Sequence, residues 1–216
     1  MTNIFGFASN LPVTTRLDNG YNLFDWVVQE NSVPKFWGRT LLGKNQISTE
    51  EIEFLRGKQC KIALIIDNLS ETVNGSDDAA QAAKTAKALG VPQNKGIVLF
   101  AKIDENIKAK NSWTIAFASE LSNMGYTPGF ICNNDQSSDF DYYQYIYETR
   151  NAGNYCAVCW ATEPKMEGMP VEWTPLCPSA MTPSDIGLWS AGQIRFGDVS
   201  ADKVYACNAS ILECMW

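Results

Sequence analysis

Histidine is missing from all 216 residues, and its absence removes whole classes of chemistry. There is no Ser-His or Cys-His nucleophile pair, no histidine-bound catalytic zinc and no imidazole base near neutral pH. Any acid-base work falls to carboxylates. Positive charge is also scarce. Against 24 acidic residues stand 17 basic ones, and the net charge of -7 repels phosphate backbones, so no nucleic-acid partner is expected. No apolar run reaches membrane-spanning length, so no membrane span is expected. Met1 to Asn10 lacks the basic segment and apolar core of a signal peptide. An extracellular location would therefore need another export route or a signal already removed, and no feature sets an oligomeric state.

What is present is enough for a sizeable core: 45% apolar and 12% aromatic residues, with no linker or internal repeat, read as one domain over residues 1–216. The seven cysteines, Cys60, Cys132, Cys156, Cys159, Cys177, Cys207 and Cys214, are an odd number, and several lie in strand-like runs that suit buried thiols. Cys207 and Cys214 enclose a short loop and would be the disulfide formed in an oxidising compartment. Cys156-x-x-Cys159 looks like half a metal site. In a strand, positions three apart point to opposite faces, so no metal site is expected there.

Short apolar runs alternate with helical patterns, which is the signature of βα units and a parallel sheet. Strands are expected at Ile4–Ser9, Pro34–Thr40, Cys60–Ile66, Gly96–Ile103, Thr127–Cys132, Tyr155–Trp160, near Ile186–Ser190 and near Lys203–Cys207. Helices are expected over about Tyr21–Gln29, from the Ser48-Thr-Glu-Glu51 capping box to Gly57, from Ser76 to Gly90, over Ser112–Asn123 and over Phe140–Arg150. In that box, the Ser48 hydroxyl and the Glu51 carboxylate would satisfy amides at the helix start. Prolines at 170, 175, 178 and 183 break the stretch from 164 to 185. The fold class is therefore α/β: a single, compact (β/α)8 TIM-type barrel with its late helices short or missing.

In a parallel barrel the carboxyl ends of the strands form the functional face. The polar or aromatic residues there are Asn10, Arg39, Asp67, Asp104 with Glu105, Asn133 and Trp160. Alternation turns Phe100, Lys102 and Asp104 toward the barrel axis, as it does Gly6, Ala8 and Asn10 on the first strand and Ala63, Ile65 and Asp67 on the third. Lys102 and Asp104 would then form either a buried ion pair or part of a site. Asp67 reads as a loop-starting aspartate or as a ligand group. Trp160 and Trp189 serve either the core or the stacking of sugar rings.

Five segments taken in order, Gly6-Phe-Ala-Ser-Asn10, Phe36-Trp-Gly-Arg-Thr40, Val98-Leu-Phe-Ala-Lys-Ile-Asp104, Met124-Gly-Tyr-Thr-Pro-Gly-Phe130 and Cys159-Trp-Ala161, resemble a known family. It is the glycoside-hydrolase-like domain of unknown function related to family-25 muramidases, and the similarity runs over about residues 4 to 207. The resemblance implies a lysozyme-like barrel, a carbohydrate partner such as peptidoglycan or a chitin-like glycan, and no cofactor. In that family the first strand ends in Gly-x-Asp, and true muramidases end the fourth in Asp-x-Glu, whose glutamate is the general acid. Here Ala8 stands at the first position, Lys102 at the second and Asp104 at the acid. Arg39 matches the arginine of the family's Phe-x-Gly-Arg and would be a ligand anchor.

Strand-end position and the resemblance together give Asp104, with Glu105, as the catalytic candidates, and Asn10, Arg39, Asp67, Asn133, Trp160 and Trp189 as substrate-binding candidates. A lysine beside Asp104 would push its pKa down, the wrong direction for a proton donor. Three functions follow: a glycan-binding barrel with a weak or inactive site; an active glycosidase using Asp104 as acid and the substrate's acetamido group as nucleophile; and a non-enzymatic, interaction or toxin-like protein on a barrel scaffold.

Overall fold

A computed structural model of the chain describes residues 4–67, 69, 74–103, 111–132, 158–162 and 186–216. Strands and helices alternate as β1 (Ile4–Ser9), α1 (Leu23–Glu30), β2 (Phe36–Thr40), α2 (Thr49–Gly57), β3 (Lys61–Ile66), α3 (Gly75–Ala88), β4 (Val98–Lys102), α4 (Asn111–Asn123) and β5 (Thr127–Cys132). Then come β6 (Val158–Ala161), β7 (Ile186–Phe196), β8 (Val199–Ala206) and a closing 3₁₀ helix, Ala209–Cys214. The eight strands form one closed barrel in chain order. The expected helix over 140–150, Cys156 and Cys177 lie outside the described residues.

Period-2 alternation sorts the strands into two apolar layers. Phe7, Trp37, Leu64, Leu99, Phe130 and Cys159 face outward and pack with helical residues such as Phe24, Ile52, Ala83 and Phe117. Ala8, Phe36, Ile65, Phe100, Ile131, Trp160, Leu188 and Val204 face inward and fill the barrel. At its lower end, Ile211 from the closing helix and Met215 just after it join the same inner cluster. Trp216 and Ile62 exchange both backbone hydrogen bonds, at 2.8 and 3.0 Å, which pins the chain end to β3.

Local chemistry sets the helix starts. Asn22 accepts from Asp25 N, Ser48 from Glu51 N and Asn74 from Ser76 N, each satisfying an amide that the helix leaves unpaired. The α3 start thus falls at Gly75, one residue before the expected Ser76. Ser48 caps α2 as expected, but the Glu51 carboxylate does not turn back to the cap.

One strand departs from an all-parallel barrel. β1 through β7 pair in parallel, whereas β8 is antiparallel to both β7 and β1. The reason is local. Gly197 and Asp198 form a two-residue turn, with Gly197 at a φ of +55°, so β7 and β8 make a hairpin where a βα unit would need a crossover helix. Late helices are indeed missing here, and both strands run longer than the sequence suggested.

The Cys207 thiol is free, and Asn208 Nδ2 donates to its sulfur at 3.1 Å. The disulfide to Cys214 is therefore not formed in this structure.

Candidate functional site

The carboxyl ends of the parallel strands surround a cup of about 500 Å³. Its floor comes from inward positions: Ala8 of β1, Ile65 of β3, Ile131 of β5 and Trp160 of β6. Above them, Asn10, Thr40, Asp67, Lys102, Thr162 and Ser190 make a polar ring. A third set, Gln193, Asp198, Ser200 and Asp202, comes from the β7–β8 hairpin and walls one side.

Gly38 makes room for this floor. A Cβ there would stand 2.9 Å from both Ala8 Cβ and Ile65 Cδ1 and 3.1 Å from Trp160 Cη2. The tryptophan ring fills that gap and meets Phe100 edge to face, with centroids 5.5 Å apart. Its Nε1 donates to Ser190 Oγ at 3.3 Å. Only 2% of Trp160 is exposed, so it acts as floor rather than as a broad stacking platform.

The ring carries charge of both signs. Thr40 Oγ1 donates to Asp67 Oδ2 at 3.0 Å, tying β2 to the end of β3. Gln193 Nε2 donates to Asp202 Oδ1 at 3.0 Å across the hairpin. Asp202 is also the register partner of Ala8 on β1, so a carboxylate stands beside the alanine of the first strand. Lys102 lines the same cup, half-buried, and takes part in no hydrogen bond or ion pair among the described residues.

Of the residues singled out from sequence, Asn10, Asp67 and Trp160 are brought together at the cup. Asp104, Glu105 and Asn133 lie outside the described residues. Arg39 and Trp189 are elsewhere. Trp37 and Arg39 share the outward parity of β2, and Arg39 is fully buried behind the barrel wall. Its Nε donates to Glu51 Oε1 at 2.6 Å, its Nη1 to Ser9 O at 2.8 Å and its Nη2 to Asn45 O at 3.0 Å. Val13 N donates to the same Glu51 oxygen at 2.7 Å. With its donors spent inside the protein, Arg39 fastens the loops after β1 and β2 to α2 instead of facing a ligand. Trp189 likewise points outward and packs on Tyr205, its register partner, with centroids 5.9 Å apart.

The hairpin wall was not anticipated. A Gly-Asp pair between two alternating runs is a hairpin signal, and it would have placed Gln193, Ser200 and Asp202 on one face. Among the described residues, no group of histidine, cysteine, aspartate or glutamate could hold a metal ion, and no helix is long and apolar enough to cross a membrane.

A closed barrel in chain order with a polar cup at the carboxyl ends of its strands places the chain among the β/α barrels. Comparison with solved structures gives that class a closer description. An uncharacterized protein from B. stearothermophilus is 26% identical, with 99% of this chain and 100% of that one covered and a TM-score of 0.78. The bacterial lysozyme from Streptomyces coelicolor is 10% identical over 99% and 96% of the two chains, with a TM-score of 0.65. A glycoside hydrolase family 25 lysozyme from Aspergillus fumigatus is 11% identical over 98% of each, with a TM-score of 0.55. The chain has the fold of the family-25 muramidases. No protein-family model matches it, and no curated protein matches it by sequence.

Proposed function

We propose that this chain is a glycan-binding barrel of the muramidase type, acting on a cell-wall or amino-sugar polymer, whose hydrolytic site is impaired. One observation carries the reading. At the inward ends of β1 and β4, where the resemblance sets two muramidase carboxylates, the cup holds Ala8 and Lys102. Glycoside hydrolysis needs two carboxyl groups flanking the bond, or a substrate acetamido group in place of one. Asp104, two residues past Lys102, keeps the acid position in this reading, with Asn10, Asp67 and Trp160 contacting the sugar.

The test is a glycan array of peptidoglycan fragments and chito-oligosaccharides, run beside product analysis of the same substrates. Binding without products is the expected result, and absence of all binding would sink the reading.

A second reading, an active glycosidase with Asp104 as general acid, is favoured by Asp202. Its carboxylate reaches the cup from β8 directly beside Ala8. Turnover abolished by Asp104→Asn would establish it and overturn the impaired site. A scaffold that docks partners through an apolar patch finds less support: among the described residues the exposed large hydrophobic side chains are Tyr21 and Val33.

A further inference from the structure

We propose that the cup selects a sugar bearing a free carboxylate and that Lys102 reads it, an inference that rests on the glycan-binding reading above. β4 brings Lys102 to the cup by parity, as the inward residue after Val98 and Phe100. The β3–β4 register pairs Leu64 with Leu99, Ile65 with Phe100 and Ile66 with Ala101. Its next step sets Asp67 beside Lys102, both lining the cup. Opposite charges side by side on one sheet face ordinarily pair. Here they do not: the ion pairs among the described residues are Arg39–Glu51 and Lys58–Asp25. Asp67 instead accepts from Thr40.

A half-buried lysine, register partner of Ile131, is thus left with no protein acceptor for its ammonium among the described residues. A ligand oxygen fills that vacancy best when it is charged, because charge-assisted hydrogen bonds are about twice as strong as neutral ones. The anion is a monoanion. Asp67, Asp198 and Asp202 line the same cup, and a dianionic phosphate would meet twice the repulsion that a carboxylate meets. Asn10, Thr40, Ser190 and Gln193 supply amide and hydroxyl groups for the hydroxyls of a sugar ring. Two kinds of sugar offer the same carboxylate: a muramic acid through its lactyl ether, and a hexuronic acid at C6.

Calorimetric titration of the full chain with three oligosaccharides of equal length separates these sources. The probes are an N-acetylglucosamine oligomer, an oligomer alternating N-acetylglucosamine with N-acetylmuramic acid whose carboxylates are free, and one alternating N-acetylglucosamine with glucuronate. At least one carboxylated probe is expected to bind about tenfold or more tightly than the neutral one, with the preference shrinking as salt is raised. Lys102→Met should bring the ratio of affinities to about one on the same reasoning, Lys102→Arg should keep it, and Asp67→Asn should raise it by removing a competing anion. The arginine and asparagine variants answer the question even where the methionine variant fails to fold. Equal binding of neutral and carboxylated probes by the wild type, or a ratio that survives Lys102→Met, overturns this inference alone. Failure of all three probes to bind overturns the glycan-binding reading with it.

Discussion

Arg39 and Lys102 are both cations near the carboxyl ends of barrel strands, and one step of strand parity separates their fates. Arg39 points outward from β2, is fully buried, and meets a carboxylate and two carbonyls. Lys102 points inward from β4 to the cup and meets no acceptor among the described residues. A guanidinium, with its rigid fork of donors, suits a fixed internal junction, whereas an ammonium on a flexible stem suits a ligand that comes and goes. On these two strands a charged residue at the carboxyl end reaches the cup only where the pleat turns it toward the axis.

Removing the two cations should break that comparison in opposite ways. Arg39→Ala leaves Glu51 buried with Val13 N as its remaining partner outside the cap, and should cost about 3–5 kcal/mol. Removing both charges, as Arg39→Met with Glu51→Leu, should cost less than Arg39→Ala alone, which urea denaturation of the variants would read. Lys102→Met should change stability by under about 1 kcal/mol. A Lys102 effect as large as that of Arg39 would refute the contrast.

A smaller effect comes from the floor that parity builds. Gly38→Ala should cost about 1–3 kcal/mol by overpacking, because Ala8 Cβ, at 2.9 Å, cannot swing aside. Its melting temperature is the readout, and loss of glycan binding should accompany it as Trp160 shifts. Weaker still is the cap: Ser48→Ala should cost about 1 kcal/mol in the same assay.

Much of the barrel was legible because its strands alternate cleanly, and Ala8, Asn10, Ile65, Asp67 and Lys102 all fall on the face their spacing assigns. Arg39 does not serve as a ligand anchor, and the same alternation places it: Phe36, Gly38 and Thr40 face in, so Arg39 faces out with Trp37. The motif around it outweighed its parity. Trp189 failed for a related reason, since Leu188 and Ser190 claim the inward positions of β7. Glu51 shows a different limit. Its spacing from Ser48 fits a capping box, yet the stronger electrostatic partner lay 12 residues away at Arg39, a contact that no local pattern announces. The hairpin wall stays hidden when Ile186–Ser190 and Lys203–Cys207 are read as two short strands of a parallel barrel. That reading hid the Gly197-Asp198 turn and with it Asp202.

Asp78 sharpens the same comparison on its smallest scale, as a buried charge whose side-chain partner among the described residues is neutral. It lies in the first turn of α3, 7% exposed, and accepts from Trp113 Nε1 at 3.1 Å. Burial raises its pKa above the ordinary 3.8, partly opposed by the Trp113 hydrogen bond and reinforced by the nearby Asp77 charge. Below pH 3.8 the carboxyl is protonated in both folded and unfolded chains. As pH rises from there to the raised folded value, the folded protein keeps a proton that the unfolded chain has released, so stability falls across that window and stays lower above it. Asp78→Asn keeps an acceptor for Trp113 and removes the titration. Its melting temperature should therefore rise relative to that of the wild type across that pH range. At neutral pH the variant should be more stable by under about 1 kcal/mol, because the lost carboxylate also favours the positive end of α3 by roughly 0.3–1 kcal/mol. Parallel melting curves for the two proteins across the acid range would show instead that Trp113 compensates the burial of Asp78 as fully as Glu51 compensates that of Arg39.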